Sequence, residues 1–321
     1  MKKFKKILSV LLPILLGAML IVYEFNKFSD DQIEQMKHSI YGADYSFILL
    51  SGILSFLGYA LRAYRWKYTL EYVGYPADFK FNLTAVSIGY FLNLTIPRSG
   101  EISRAALLTK YKDVPFDKGF GTIISERIID FIVLLLFILT AVSIEFHTLK
   151  AFLLENIPLK PLIILGVLGF TAAFIGIYLL IFSKWKFILT IKSKISGLTE
   201  GMLSVFKMPH KWMFLFQTFL IWFTYILMFY SVVFALQETR MISFNAVIVA
   251  FVIGSLTIAF TNGGFGFFPV LIAKILFLYN IPEESGQAFG WVVWTSQLII
   301  TILLGGIAFL ILSTFTKKEI N

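Results

Sequence analysis

Six apolar runs, near residues 7–23, 46–66, 128–146, 161–183, 214–236 and 289–313, approach the length that crosses a bilayer. A hydrocarbon core of about 30 Å takes about 20 helical residues. A segment in lipid must satisfy its own backbone hydrogen bonds, so runs of this kind fold as helices. Of all residues 58% are hydrophobic and only 15% charged, whereas soluble domains carry about a quarter charged residues. No stretch between the runs is long and polar enough for a separate soluble domain. The sequence therefore predicts an all-α, polytopic transmembrane helical protein, one membrane domain over residues 1–321. The opening M-K-K-F-K-K and the apolar run behind it read as an uncleaved first span, because no small-residue cleavage site follows.

Two more apolar regions are of another kind. Residues 82–97 are short and end in Pro97-Arg98-Ser99-Gly100-Glu101. Residues 245–279 are long but interrupted at Asn262-Gly263-Gly264-Phe265-Gly266. Gly and Pro clusters inside apolar segments mark broken helices, and a break must be buried in protein or line a wet cavity.

Lys and Arg alternate along the chain. They gather in the N-terminal tail (Lys2, Lys3, Lys5, Lys6), over 62–127, over 184–211, and at Lys317 and Lys318. The intervening loops 24–45, 147–160 and 237–244 hold only Lys27, Lys37, Lys150, Lys160 and Arg240. By the positive-inside rule both termini are cytoplasmic, in the cytoplasmic (inner) membrane. Trp66, Trp185 and Trp212 fall near the same interface, as an aromatic belt would. Six full spans alternate correctly only if each broken region leaves by the face it came from. The first re-entrant unit, near 82–112, starts from the cytoplasm, and the second, near 245–280, from the exterior. Each half, 1–150 and 155–321, then reads span, span, re-entrant unit, span. That is an inverted-topology repeat, a recurring plan of secondary transporters. The alternative makes 245–261 and 264–281 two ordinary spans joined by a glycine turn.

Several function classes drop out. With no cysteine there are no disulfides, thiolate metal sites or cysteine nucleophiles. His38, His147 and His210 lie far apart without metal-ligand spacing. Walker loops and dinucleotide fingerprints are absent, so neither cofactor nor metal is expected. The formal charge of +9 belongs to loops flanking spans and implies no nucleic acid.

The residues that could carry chemistry cluster at the breaks. In G-Y-F-L-N-L-T-I-P-R-S-G-E-I-S-R (89–104), Pro97 and Gly100 break the helix beyond Asn93. Glu101 then lies at a helix start, where the dipole favours an anion. Arg98 and Arg104 could hold a phosphate or pair with Glu101; the plainer reading is a loop with a surface ion pair. In S-E-R-I-I-D (125–130), Glu126, Arg127 and Asp130 are helical neighbours. Asp130 falls in the first turn of the expected span, where pairing with Arg127 could simply tidy the helix start. In T-N-G-G-F-G-F-F-P (261–269), Asn262, Gly263, Gly264 and Gly266 permit unusual backbone or close packing. Lys274, inside an apolar limb, needs Glu101, Asp130 or a lipid phosphate as partner, unless it snorkels to exterior headgroups.

On these motifs the chain resembles the transmembrane, flippase-like domain of the lysylphosphatidylglycerol synthases and related stand-alone membrane proteins. The family pattern is Pro-x-x-x-Gly-Glu-x-x-Arg, then Glu-Arg-x-x-Asp, then Pro-Gly-Gly-x-Gly, and the similarity covers nearly the whole chain. The resemblance implies Pro97, Gly100, Glu101, Arg104, Glu126, Arg127, Asp130, Gly263, Gly264 and Gly266 as the family's positions here. Asn262 stands where the family usually has Pro, and Pro269 near where many members carry an acid. No stretch resembles the aminoacyl-transferase domain of the full-length synthases, so lipid lysinylation by this chain alone is not expected.

The expectation is a lipid translocase for an anionic phospholipid or a lipid-linked substrate, taken between the two re-entrant units. Movement would be downhill or ion-coupled. A membrane-embedded transferase, using Glu101 with Arg104 or Glu126 with Asp130 as acid or base, is the alternative. A non-catalytic partner of a lipid-modifying enzyme is another. Expected partners are membrane lipids with anionic heads, with a second copy of the chain or a lipid-modifying enzyme as further candidates.

Overall fold

The computed structural model describes residues 15–96, 98–146, 204–261 and 263–315, with the isolated positions 171, 175 and 178. Within them the helices are α1 (Leu15–Phe25), α2 (Asp30–Tyr41), α3 (Tyr45–Tyr72), α4 (Phe79–Asn93), α5 (Ser99–Lys112), α6 (Phe116–Ile144), α7 (Ser204–Lys207), α8 (Lys211–Val233), α9 (Phe244–Phe260), α10 (Phe267–Phe277) and α11 (Glu283–Leu312). Among the described residues α3, α6, α8 and α11 are long and apolar enough to cross a membrane. The fold is that of a polytopic helical membrane protein. The run expected at 161–183 lies almost wholly outside the described residues, as do Pro97 and Asn262.

Helix starts are set by short polar side chains. Asp44, Asp78 and Ser243 accept hydrogen bonds from the first-turn N–H groups of Ser46, Phe81 and Ala246. Ser29 and Gln32 form a reciprocal capping box that starts α2, so the loop expected over 24–45 contains a helix. Its Gln32 and Ser39 side chains reach Glu284 and Glu238.

The long helices are apolar outside and polar inside. On α3, Leu49, Ile53 and Phe56 are exposed while Ser51, Ser55, Arg62 and Arg65 are buried. On α6, Phe131, Leu135 and Leu139 are exposed while Glu126 and Asp130 are buried. This is the pattern lipid imposes, since exposed apolar surface costs nothing there while ionisable groups must face the bundle interior. Side-chain pairs fix relative direction. Residues 52 and 59 of α3 meet 300 and 301 of α11, so these helices run parallel. Residues 62 and 65 meet 225 and 218 of α8, and 66 and 62 meet 122 and 130 of α6, so α6 and α8 run antiparallel to α3.

Both broken regions are helical hairpins. In the first, α4–α5, Gly89 abuts Gly100 and Arg104. In the second, α9–α10, Gly254 abuts Phe268 and Ile272. The limbs have 15, 14, 17 and 11 residues. At 1.5 Å per residue that is roughly 16–26 Å, short of a hydrocarbon core of about 30 Å. Helix α11 serves as a ruler for their placement. Hairpin 1 has its base beside Phe315 (Phe81, Lys80) and Phe91, near its tip, against Gly305. Hairpin 2 has its base beside Gly286 (Ala273) and its tip at Trp294. The hairpins therefore approach from opposite ends of α11.

Candidate functional site

The first hairpin satisfies its broken backbone with side chains. At the tip Ser99 Oγ donates to the Leu92 and Ile96 carbonyls (2.9 and 2.7 Å), and Asn93 Oδ1 accepts from the Gly100 N–H (2.7 Å). These are the groups a helix break leaves orphaned, and inside a bilayer no water replaces them. Arg98 takes left-handed backbone (φ 60) at the tip, with its side chain exposed. Gly100 lies so close to the Gly89 carbonyl that a Cβ there would collide with it.

This rigid hairpin brings Glu101 and Arg104 against α3, α6 and α8, where a buried charge cluster forms. Arg62 and Arg65 are three apart on α3, and Glu126 and Asp130 four apart on α6, so each pair shares a helix face. Asp130 accepts from Arg62 at 2.9 Å and from Arg65 at 2.8 and 3.2 Å. Arg104 donates to Glu126 at 2.9 Å, and Arg65 Nε lies 3.9 Å from the other Glu126 oxygen. Arg127 stands 3.7 Å from Glu101 and 4.0 Å from Asp130. From α8, Thr218 accepts from Arg65 (2.9 Å) and Tyr225 from Arg62 (2.8 Å). Tyr90 of α4 meets the Tyr225 hydroxyl at 3.4 Å. Arg104 lies 3.9 Å over the Trp66 ring and Arg65 5.0 Å over Phe214, aromatic faces that favour a cation.

The Arg65 and Glu126 side chains are 0% exposed and Arg127 is 36% exposed, so the cluster reaches open surface at the Arg127–Glu101 pair. Four guanidinium groups face three carboxylates, one formal positive charge in excess. The Nε groups of Arg65, Arg104 and Arg127 make no hydrogen bond, and neither do Glu101 Oε2 and Glu126 Oε1. A buried group of this kind has spare donors and spare positive charge. Guanidinium forks are the side chains that match carboxylate and phosphate oxygens bidentately.

The cluster contains five of the residues singled out in the sequence: Glu101, Arg104, Glu126, Arg127 and Asp130. Their pairing differs from expectation. Arg104 goes to Glu126, while Glu101 turns to Arg127. Asp130 does not sit in the first turn of its span. Helix α6 starts at Phe116, which puts Asp130 about 21 Å along it; the segment 116–127 looked like loop because its charges lower the apolar signal of a span. Arg62 and Arg65 are interior residues rather than cytoplasmic loop charges. Trp66 is buried with Nε1 on Thr122 and belongs to no interfacial belt, whereas Trp212 is 73% exposed. The sequence reading overlooked Arg62, Arg65, Tyr90, Thr218 and Tyr225. Two arginines at helical spacing inside an apolar run were the available signal.

Gly263, Gly264 and Gly266 lie elsewhere. All three have positive φ (64, 82 and 74), which suits glycine. Trp294 Nε1 donates to the Gly263 carbonyl (2.8 Å), the Gly264 N–H donates to Thr261 Oγ1 (3.0 Å), and Gly266 packs on the Gly17 backbone of α1. Pro269 packs on Gly290 of α11. Lys274, in the last turn of α10, is half-buried. The carboxylates expected to pair with it are taken by arginines.

The sequence model described as the lysylphosphatidylglycerol synthase TM region matches residues 10–313. The chain belongs to this family. Among curated proteins it is similar to the UPF0104 membrane protein MJ1595 of Methanocaldococcus jannaschii, 27% identical over 86% of each chain. No solved structure matches it. The match runs through both hairpins and all four helices that hold the charge cluster, so the site lies within the region that defines the family.

Proposed function

We propose that this member of the lysylphosphatidylglycerol synthase TM region family is a lipid translocase of the cytoplasmic membrane. It would pass the head of an anionic phospholipid or lipid-linked substrate across the bilayer, downhill or coupled to an ion. The observation that carries the reading is the buried cluster of Arg62, Arg65, Arg104 and Arg127 with one carboxylate too few. Ionisable groups inside a membrane mark substrate and ion pathways, and a phosphate would supply the missing negative charge. Arg98, exposed at the hairpin tip, and the half-open Arg127–Glu101 pair would be the first groups the head meets. A cytoplasmic position for both termini is supported by the charge pattern: with the buried arginines set aside, Lys67, Lys80, Lys110, Lys112 and Lys118 still crowd the face at the base of hairpin 1.

The test is reconstitution into vesicles carrying tail-labelled lipids with different heads, followed by quenching of the outer leaflet. Faster flipping of lipids with anionic heads is expected, lost with Arg104→Gln. Flipping no faster than in protein-free vesicles, for every head and gradient tried, would remove the reading.

A further inference from the structure

One polar feature is not used by the charge cluster. On α3, Ser51, Ser55 and Tyr59 precede Arg62 and Arg65 at spacings of four, four, three and three, a single helix face. All three are buried. Their partners are on α11: Gln297 meets Ser55 at 2.7 Å and Ser51 at 3.3 Å, and Tyr59 meets Thr301 at 2.9 Å. From Ser51 to Arg65 the face is about 21 Å long, most of a hydrocarbon core of about 30 Å.

The partner stripe on α11 extends further. Trp294, Gln297, Thr301 and Gly305 follow one another at spacings of three, four and four. Trp294 holds the tip of hairpin 2 through the Gly263 carbonyl. Gly305 lies against Phe91 near the tip of hairpin 1. The neutral rungs Gln297 and Thr301 therefore occupy the interval between the two tips. At its far end the ladder joins the cluster: the Tyr59 and Tyr90 rings are 4.7 Å apart, and Tyr90 leads through Tyr225 to Arg62.

We infer that the seam between α3 and α11 is the passage for a phosphate-bearing head between the arginine cluster and the glycine turn of hairpin 2. Ser51, Ser55, Tyr59, Gln297 and Thr301 are its lining. The inference rests on the translocase reading. In the closed state the rungs hydrogen-bond to one another, with Ser51, Ser55 and Tyr59 buried and Gln297 and Thr301 half-buried. Hydrogen bonds between membrane helices are individually weak, so parting the two helices is easy, and each rung freed is a donor or acceptor facing the crevice. None of these side chains titrates near neutrality. They can therefore solvate a moving head without trapping it, as a further arginine would.

The absence of cysteine makes the test clean. The full chain carrying Gly52→Cys and Ile300→Cys, which face each other across the seam but are not among its polar rungs, is reconstituted in phosphatidylcholine vesicles with tail-labelled phosphatidylglycerol, and the two thiols are joined by a short reducible cross-linker. Flipping should fall about tenfold or more when the seam is tied and recover on reduction. Gln297→Leu, which removes two rungs at similar volume, should slow flipping by a similar factor. Unchanged flipping in the tied protein, or in Gln297→Leu, would overturn the passage while leaving translocation standing. A wild-type protein that flips no labelled lipid would instead overturn the translocase reading itself.

Discussion

The two hairpins solve one problem by different means. Each interrupts a helix inside an apolar region and must complete the backbone groups that the break frees. Hairpin 1 closes its break with side chains, Ser99 on two carbonyls and Asn93 on the Gly100 N–H, and then presents Glu101 and Arg104 to a charge cluster. Hairpin 2 closes its break with three positive-φ glycines and the neutral side chains of Thr261 and Trp294, and seats its turn on the backbone of Gly17. The first carries charge and needs rigidity to aim it. The second carries shape and needs close approach. Polar residues at a membrane break therefore mean different things according to whether they only complete the backbone or also deliver a charge.

Substitutions on each side can break this contrast. The largest effect is expected at the cluster. Asp130→Asn leaves Arg62 and Arg65 facing a neutral amide, and loss of one partner from a buried pair costs about 3–5 kcal/mol. A large drop in thermal midpoint in detergent is expected, and a stable variant would mean that the cluster is hydrated. Next come the glycines that touch backbone. Gly100→Ala and Gly266→Ala each drive a methyl into a neighbouring chain, Gly89 and Gly17 respectively, at about 1–3 kcal/mol of overpacking. If hairpin 1 aims charge, Gly100→Ala should slow flipping beyond its effect on stability, measured on protein that remains folded. Gly263→Ala meets open space but keeps φ 64, so only left-handed strain of about 1–2 kcal/mol applies. Its melting shift should be smaller than that of Gly266→Ala, and the reverse order would show that packing on α1 does not hold the turn.

The smallest effect lies at the base of hairpin 1. Burial raises the Asp78 carboxyl, but its bond to Lys112 (2.7 Å) and the Phe81 N–H outweigh this and hold it below the usual carboxylate range. A carboxyl lowered by folding adds stability above its unfolded pKa and loses it as pH falls through the folded value. A slight acid destabilisation, about 0.5 kcal/mol or less for so exposed a pair, should be absent from Asp78→Asn.

Much of this protein was legible as a sequence. The apolar runs named α3, α6, α8 and α11, and the Pro-Gly and Gly-Gly clusters marked both hairpins. The motif charges Glu101, Arg104, Glu126, Arg127 and Asp130 meet in one cluster. The beginning of α6 was missed because Asp117, Lys118, Glu126 and Arg127 lower the apolar signal that otherwise marks a span. Arg62 and Arg65 were missed because an arginine near the end of an apolar run looks the same whether it snorkels to headgroups or turns inward.

What the sequence by itself determined is the membrane, the helices and the places where they break, since those follow from local hydropathy and backbone preference. The pairing of charges was decided only by the tertiary structure: Arg104 with Glu126, Arg127 with Glu101, and Asp130 with two arginines some 65 residues away. Local spacing can say that an ionisable group inside a bilayer must have a partner. Which one it takes depends on distances between helices far apart in the chain, and those are set by packing.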